Sequence, residues 1–319
     1  MGELSRNDVA EAAERIAGLV ERTALVEARV RGSRIWLKCE CLQTGGAFKL
    51  RGATNRLLRL SAEERERGVV AFSSGNHARG VAIAARRLGV KATIVMPSDA
   101  PAVKIEGTRG EGAEIVFFER NRESREAIAA RIAATSGATV VPSFDDPAIV
   151  AGQGTVGLEI LDQLATLGAP PPTRILVPTG GGGLASGIAL ACPEAEIVCV
   201  EPEGWDDMRR SLELGRIVPV PEDAPPTLCD ALQTPLVSPI TFGILQQRGV
   251  RGVAVGEDEV VAAVRFAWAE HRLVVEPGGA VALAALLSGK VEAAEGTVAV
   301  LSGGNVDPGL HSRIVSGGS

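Results

Sequence analysis

Gly45-Gly46-Ala47-Phe48-Lys49-Leu50-Arg51-Gly52-Ala53 is the stretch around which the chain is organised. It follows a strand-like run at 34–41, whose β-branched and aromatic residues suit a pleated surface. It precedes a helical run that carries Leu50, Leu57, Leu58 and Leu60. Lys49 therefore sits where a loop becomes a helix, and the two glycines before it leave room around its side chain. Most lysines in such a place are simply solvated. An ammonium at a helix N-terminus, however, faces the positive end of the helix dipole. That disfavours an ordinary charged lysine and suits an amine with another use, such as forming a Schiff base.

On the N-terminal side, Asn7 or Asp8 can cap a first helix running to about Val20. On the C-terminal side, short strands alternate with helices. Strands are expected at 68–72, 91–96, 113–118 and 138–141, with helices at 78–88, 103–109 and 122–135. Alternation this close means parallel βαβ units. The second half repeats the theme, with a helix at 155–167 broken by Pro170-Pro171-Pro172. Strands follow at 174–177, 196–200, 253–255 and 297–301, and helices at 184–191, 258–271 and 278–287. The expected fold class is α/β: two doubly wound domains of mainly parallel sheet with helices on both faces. Residues 1–67 and 146–319 form the large domain, and 68–145 the small one.

Bulk composition narrows the classes of function. The 319 residues carry a net charge of −6, which argues against a nucleic-acid surface. No apolar run reaches the ~18 residues of a membrane span. The charged N-terminus shows no secretory signal, so a cytoplasmic location is the default. Glycine, at 38 residues, exceeds its usual share of roughly 7% and clusters in short runs, as tight backbone approaches require. The cysteines at 39, 41, 192, 199 and 229 form no CxxC pair. They read as buried thiols in a reducing compartment.

Three turns share one position, the carboxyl end of a strand, where open α/β sheets bind ligands. Gly180-Gly181-Gly182-Gly183 lies between a strand and a helix, and only glycine lets successive N–H groups converge on one anion there. No GK[ST] follows, so it is not a nucleoside-triphosphate loop. It does fit the dinucleotide pattern GxGxxA as Gly180, Gly182 and Ala185, with Glu201 about twenty residues on. An NAD-dependent dehydrogenase is therefore the rival reading, with a cofactor-binding protein that performs no turnover as a third. Ser73-Ser74-Gly75-Asn76-His77 can hold a carboxylate at a second helix start. His77 alone is more often structural than catalytic. Ser302-Gly303-Gly304-Asn305 is the third turn.

Ala47-Phe48-Lys49-Leu50-Arg51-Gly52-Ala53, the turn at 73–77, the tetraglycine loop, Glu201-Pro202 and Leu301-Ser302-Gly303-Gly304-Asn305 together resemble the serine/threonine dehydratase and serine racemase family. These are fold-type II enzymes, related to the tryptophan synthase β chain, that use pyridoxal phosphate. Five motifs in order span nearly the whole chain. The resemblance implies that Lys49 forms the Schiff base and shuttles the Cα proton. It implies that Phe48 packs on the cofactor, Asn76 touches the ring hydroxyl and Ser302 bonds the pyridine nitrogen. Gly180, Gly181, Gly182 and Gly183 would bind the phosphate. Ser73, Ser74, Gly75, Asn76 and His77 would hold the substrate carboxylate, with Ser74 serving the second face of the substrate in racemases. It also implies a metal site, for Mg²⁺ or Ca²⁺, at Glu201, Asp207 and the Trp205 carbonyl, and a homodimer.

The implied activity is that of an ammonia-lyase eliminating water from a β-hydroxy-α-amino acid. L-threonine or L-serine is the default substrate, with threo-3-hydroxyaspartate or phenylserine as alternatives, and amino-acid racemisation as the alternative reaction. A serine at 302, unlike an acidic partner, does not favour a protonated ring, and the less electrophilic ring suits elimination or racemisation. Three departures fall near the substrate end. They are Arg79 where the family often has Gln, Cys229-Asp230-Ala231 where Ala-Asp-Gly is usual, and Gly278 where Ser or Thr is commoner.

Overall fold

In the computed structural model, residues 4–73, 75–100, 102–120 and 122–317 are described. Their ten strands are β1 (Leu25–Val30), β2 (Ser33–Cys39), β3 (Val69–Phe72), β4 (Ala92–Pro97), β5 (Glu114–Phe118), β6 (Thr139–Val140), β7 (Arg174–Pro178), β8 (Glu196–Pro202), β9 (Arg251–Val255) and β10 (Thr297–Leu301). They build two sheets. One has six strands in the order β1-β2-β10-β7-β8-β9, and the other four in the order β5-β4-β3-β6. All neighbours pair in parallel except β1 and β2. The expected α/β class with mainly parallel sheets is thus the observed one.

The central strands are mostly apolar because helices cover both faces. β10 (Thr-Val-Ala-Val-Leu) is buried at every residue, and β7 and β8 at all but their first. Packing layers form on either side. Val298 and Val300 face one cluster with Val156, Ile160 and Ile188, while Ala299 and Leu301 face another with Val281 and Leu283. All five cysteines are free and buried, as expected. No helix among the described residues is long and apolar enough to cross a membrane.

Three local features depart from the expectation. The first helix stops at Ile16, and Gly18 turns the chain at φ 75°. A strand, β1, precedes β2 through a two-residue turn, Arg31 (φ 49°) and Gly32 (φ 85°). Two positive φ values suit the right-handed twist of a hairpin, but an Arg-Gly pair is not the usual Asn-Gly signal. Third, the helix expected from residue 155 starts at Pro147 and runs to Thr166, with the Asp146 side chain capping Ala148 and Ile149.

The reason for the third miss is packing. Gly152 and Gly154 read locally as helix breakers, yet they sit where this helix meets two others at backbone distance. A Cβ on Gly152 would lie 2.7 Å from the Gly52 Cα, and one on Gly154 2.6 Å from the Gly187 carbonyl oxygen. Backbone cannot give way as a side chain can. Gly154→Val is expected to destabilise the fold by about 1–3 kcal/mol through overpacking, read as a lower urea midpoint at unchanged slope. An unchanged midpoint would mean that the helices part at no cost.

Candidate active site

The Lys49 loop is stitched to the far end of the chain. Gly45 and Gly46 take left-handed φ values of 79° and 77°. The loop then runs antiparallel beside the 302–304 turn through a bridge between Ala47 and Gly303. The Phe48 N–H donates to the Ser302 carbonyl at 3.2 Å, and the Gly304 N–H to the Gly46 carbonyl at 2.8 Å. From here the helix Lys49–Leu58 begins, and the helix Asn76–Leu88 crosses it at Gly80, where a Cβ would stand 3.1 Å from the Leu50 nitrogen. Three of the sequence motifs thus meet at one point.

Lys49 is half-buried and its Nζ donates to the Ser143 carbonyl at 3.0 Å, with the Phe48 ring centroid 5.1 Å away. No carboxylate pairs with it among the described residues. Burial brings the amine down to about 8 from its usual 10.5. Two residues on, Arg51 is the contrary case, buried but fully paired. Its Nε and Nη2 donate to Glu40 at 2.8 Å each, and its Nη1 and Nη2 to Glu159 at 2.6 and 2.9 Å. Lys38, also buried, donates to Glu159 at 2.6 Å.

Ser143 leads to the tetraglycine loop, because the ring of the next residue, Phe144, lies against Gly181 and would overlap a Cβ there. Gly182 adopts φ 85° and opens the helix Gly183–Ala191, and the Thr241 hydroxyl donates to the Gly181 carbonyl at 2.8 Å. A Cβ on Gly182 would press on Met208 at 2.6 Å. The loop is a backbone cradle with N–H groups at a helix start, suited to a phosphate.

At the 73–77 turn, Asn76 donates from Nδ2 to Glu276 Oε1 at 2.5 Å and accepts from Asn305 Nδ2 at 2.8 Å. Burial lifts Glu276 to about 7. His77 is buried beneath the turn with Nε2 2.9 Å from the Val141 carbonyl, and burial followed by the nearby Lys49 charge lowers it to about 3. Its ring faces the fold and stays neutral, so only its backbone belongs to the turn. Gly75 and Asn76 line a cavity of about 370 Å³ with Arg79, Lys104, Asp230 and Glu276. Lys104 pairs with Asp230 across its mouth. Ser74 lies outside the described residues. Ser302 is buried beside the Lys49 loop.

Glu201 lies near the end of β8. It is buried, and its oxygens accept the Met208 and Arg209 N–H groups at 3.0 and 2.8 Å. Each Glu201 oxygen is thus tied to the start of the helix Asp207–Leu214. Beside it, neither oxygen of Asp207 has a hydrogen-bond partner, and burial raises this carboxyl to about 7. Trp205 donates its ring N–H to the Pro225 carbonyl. Among the described residues, no three His, Cys, Asp or Glu side chains converge as a metal set.

The sequence reading missed Ser143, Phe144 and Glu276, and took Asn305 only as the end of a motif. Glu276 did carry a signal, a carboxylate directly before a proline at a helix start. Ser143 and Phe144 carried none, since their roles come from a carbonyl and a ring that only the fold brings to Lys49 and Gly181.

A family model described as pyridoxal-phosphate dependent enzyme matches residues 16–303. The chain is 42% identical to an L-threo-3-hydroxyaspartate ammonia-lyase of Pseudomonas sp over 98% of this chain and 99% of that one. It is 40% identical to an L-threonine ammonia-lyase of Thermotoga maritima over 99% of this chain and 79% of that one. The structure of maize serine racemase superposes with a TM-score of 0.91 at 34% identity, covering 99% and 98% of the two chains.

The residues present fit pyridoxal phosphate. The amine without a carboxylate partner suits an aldehyde, and the glycine cradle that a Cβ would fill suits a phosphate. With the amine near 8, the neutral, nucleophilic form is already abundant at neutral pH. Deprotonation frees the lone pair, so capture of the cofactor by the cofactor-free chain is expected to quicken as pH rises, with its midpoint at about 8, well short of the ordinary 10.5. Stopped-flow absorbance gives the rate. A rate still climbing beyond pH 10 would place the reactive amine elsewhere, as would borohydride labelling of another lysine.

Proposed function

Because the chain belongs to the family of pyridoxal-phosphate-dependent enzymes, we propose that it is an ammonia-lyase that converts a β-hydroxy-α-amino acid into a 2-oxo acid and ammonia. The observation that carries this reading is Lys49: one half-buried amine, unpaired with any carboxylate among the described residues, bonded to Ser143 next to the Phe144 ring that lies on Gly181, and close enough to His77 to shift it. Bound cofactor supplies an aldehyde and an electron sink for charge developing at the substrate Cα. The chain supplies the rest. Backbone N–H groups of Gly180–Gly183 hold the phosphate, and those of the 73–77 turn hold the substrate carboxylate. Phe48 and Phe144 keep water from the amine. Lys49 Nζ takes the Cα proton as a general base, and the hydroxyl leaves from Cβ with a proton as water. The remaining enamine nitrogen is hydrolysed by water to ammonia. The Ser302 hydroxyl can hydrogen-bond the ring nitrogen without charging it.

For the substrate, the hydroxyaspartate and threonine lyases among the relatives support L-threonine, L-serine and threo-3-hydroxyaspartate as the compounds to try first. Residues 68–145 would move as one domain over the mouth, drawn by Lys104 toward Asp230, in a homodimer. Loaded enzyme is expected to release 2-oxo acid from at least one hydroxy amino acid, with a loss of several orders of magnitude in Lys49→Ala. Gly182→Asp should fail to retain cofactor, since its side chain would press on Met208 at a left-handed φ, distort the loop and add a negative charge near a dianion. A yellow, folded wild type inert toward every hydroxy amino acid would refute the lyase. Racemisation is the second reading, favoured by the near-complete match to maize serine racemase. It requires Ser74 to act on the opposite face, so Ser74→Ala should keep elimination and lose exchange between L- and D-substrate.

Glu201, Asp207 and the Trp205 carbonyl form a site for Mg²⁺ or Ca²⁺, whose preference is for oxygen donors. The support is the pair of unpartnered, buried Asp207 oxygens. Asp207 titrates at about 7 in the fold against 3.8 unfolded, so the native chain holds a proton that the unfolded chain has lost. Its contribution to stability therefore falls as pH rises from about 4 to 7. At about pH 8 in chelator, Asp207→Asn is expected to melt higher than wild type, while only wild type gains stability on adding Ca²⁺ or Mg²⁺. Melting curves unaffected by chelator or cation would dismiss the site.

A further inference from the structure

Four polar side chains run in line across the active-site floor: Arg79, Asn305, Asn76 and Glu276. Arg79 Nη1 donates to Asn305 Oδ1 at 3.0 Å, Asn305 Nδ2 to Asn76 Oδ1 at 2.8 Å, and Asn76 Nδ2 to Glu276 Oε1 at 2.5 Å. Arg79 and Asn76 share one face of the helix Asn76–Leu88, three residues apart. Asn305 follows β10, and Glu276 caps the helix Pro277–Leu287. An amide can present either end, so its orientation depends on its neighbours. Here both neighbours of Asn305 are unambiguous. A guanidinium only donates, and the Gly45 carbonyl, 2.7 Å from Asn305 Nδ2, only accepts. The Asn305 oxygen must face Arg79 and its nitrogen must face Gly45 and Asn76. Asn76 must then turn its oxygen to Asn305 and its nitrogen to Glu276.

We propose that Arg79 and Asn305 are positioning residues that lock the Asn76 amide, leaving one N–H, and no oxygen, to meet the cofactor's ring oxygen. This rests on the proposed cofactor site for the presence of that oxygen beside Asn76. A fixed donor favours the ionised ring oxygen, and so holds the bound chromophore in one state.

The test compares Arg79→Met, Arg79→Lys and Asn305→Asp, each loaded with pyridoxal phosphate, by visible absorption and by the cofactor dissociation constant from tryptophan fluorescence. Met spans a similar reach without a donor, whereas Lys only donates. Arg79→Met is expected to shift intensity from the visible to the near-ultraviolet band and to weaken cofactor binding roughly three- to tenfold, the size of one misaligned hydrogen bond. Arg79→Lys should stay close to wild type. Asn305→Asp puts an acceptor against both the Gly45 carbonyl and the Asn76 oxygen, and should shift the spectrum furthest. Unchanged spectra and affinities in Arg79→Met and Asn305→Asp would overturn the inference. So would an Arg79→Lys as impaired as Arg79→Met, because a bare packing role would treat both alike. If Arg79→Met does not fold, Asn305→Asp decides by the same spectrum. Wild type that captures no cofactor refutes the cofactor site itself, a result distinct from either.

Discussion

The site depends on a buried ion cluster that never touches substrate. Arg51 grips Glu40, just past the end of β2, and Glu159, in the middle of the long helix Pro147–Thr166, while Lys38 shares Glu159. Two cations face two carboxylates, so the cluster is neutral overall, and the Arg51 fork spends its donors on good acceptors. Such a cluster is costly to desolvate and is not in itself a source of stability. What it provides is definition. It holds the first turn of the Lys49 helix against sheet and helix at once, and only one rotation of that helix satisfies all the partners. Lys49, two residues earlier, inherits its position.

The contrast between neighbouring groups then follows from pairing. Arg51 is buried and stays charged because its partners are buried with it. Lys49 is half-buried with only a carbonyl to bond, so its charged form is penalised. Glu276 and Asp207 show the same rule with the opposite sign, carboxyls lifted toward neutrality where no cation pairs with them. Groups displaced from their ordinary titration range gather where the glycine-rich turns leave room, as expected of a functional site.

Much of this was legible in the sequence. Gly45–Ala53, Gly180–Gly183 and Ser302–Asn305 stand out because glycine runs between a strand and a helix have few uses, and apolar runs such as Val298–Leu301 suit buried parallel strands. Partners joined only by tertiary structure were not legible. Ser143 contributes a carbonyl, which no side-chain pattern announces. Gly152 and Gly154 looked like breakers because their role is to admit another helix's backbone. His77 sat inside a ligand-binding turn while its ring pointed into the fold, a distinction that residue order cannot make. Asn305 lies 229 positions from the amide that it orients.

The insertion of β10 between β2 and β7 has a consequence for biogenesis. The two neighbours of that strand, β2 and β7, are both made well before it. Until residues 297–305 emerge, β2 and β7 cannot be bridged, and the Lys49 loop has no Ser302 carbonyl or Gly304 amide to lie against. A chain assembled from such distant pairings closes its largest loops late and slowly. The nascent protein can therefore form its four-stranded sheet from contiguous sequence while the six-stranded sheet waits, open along its centre. The Lys49 loop is completed by β10 and the turn after it, so a nascent chain lacks those pairings until residues 297–305 are made.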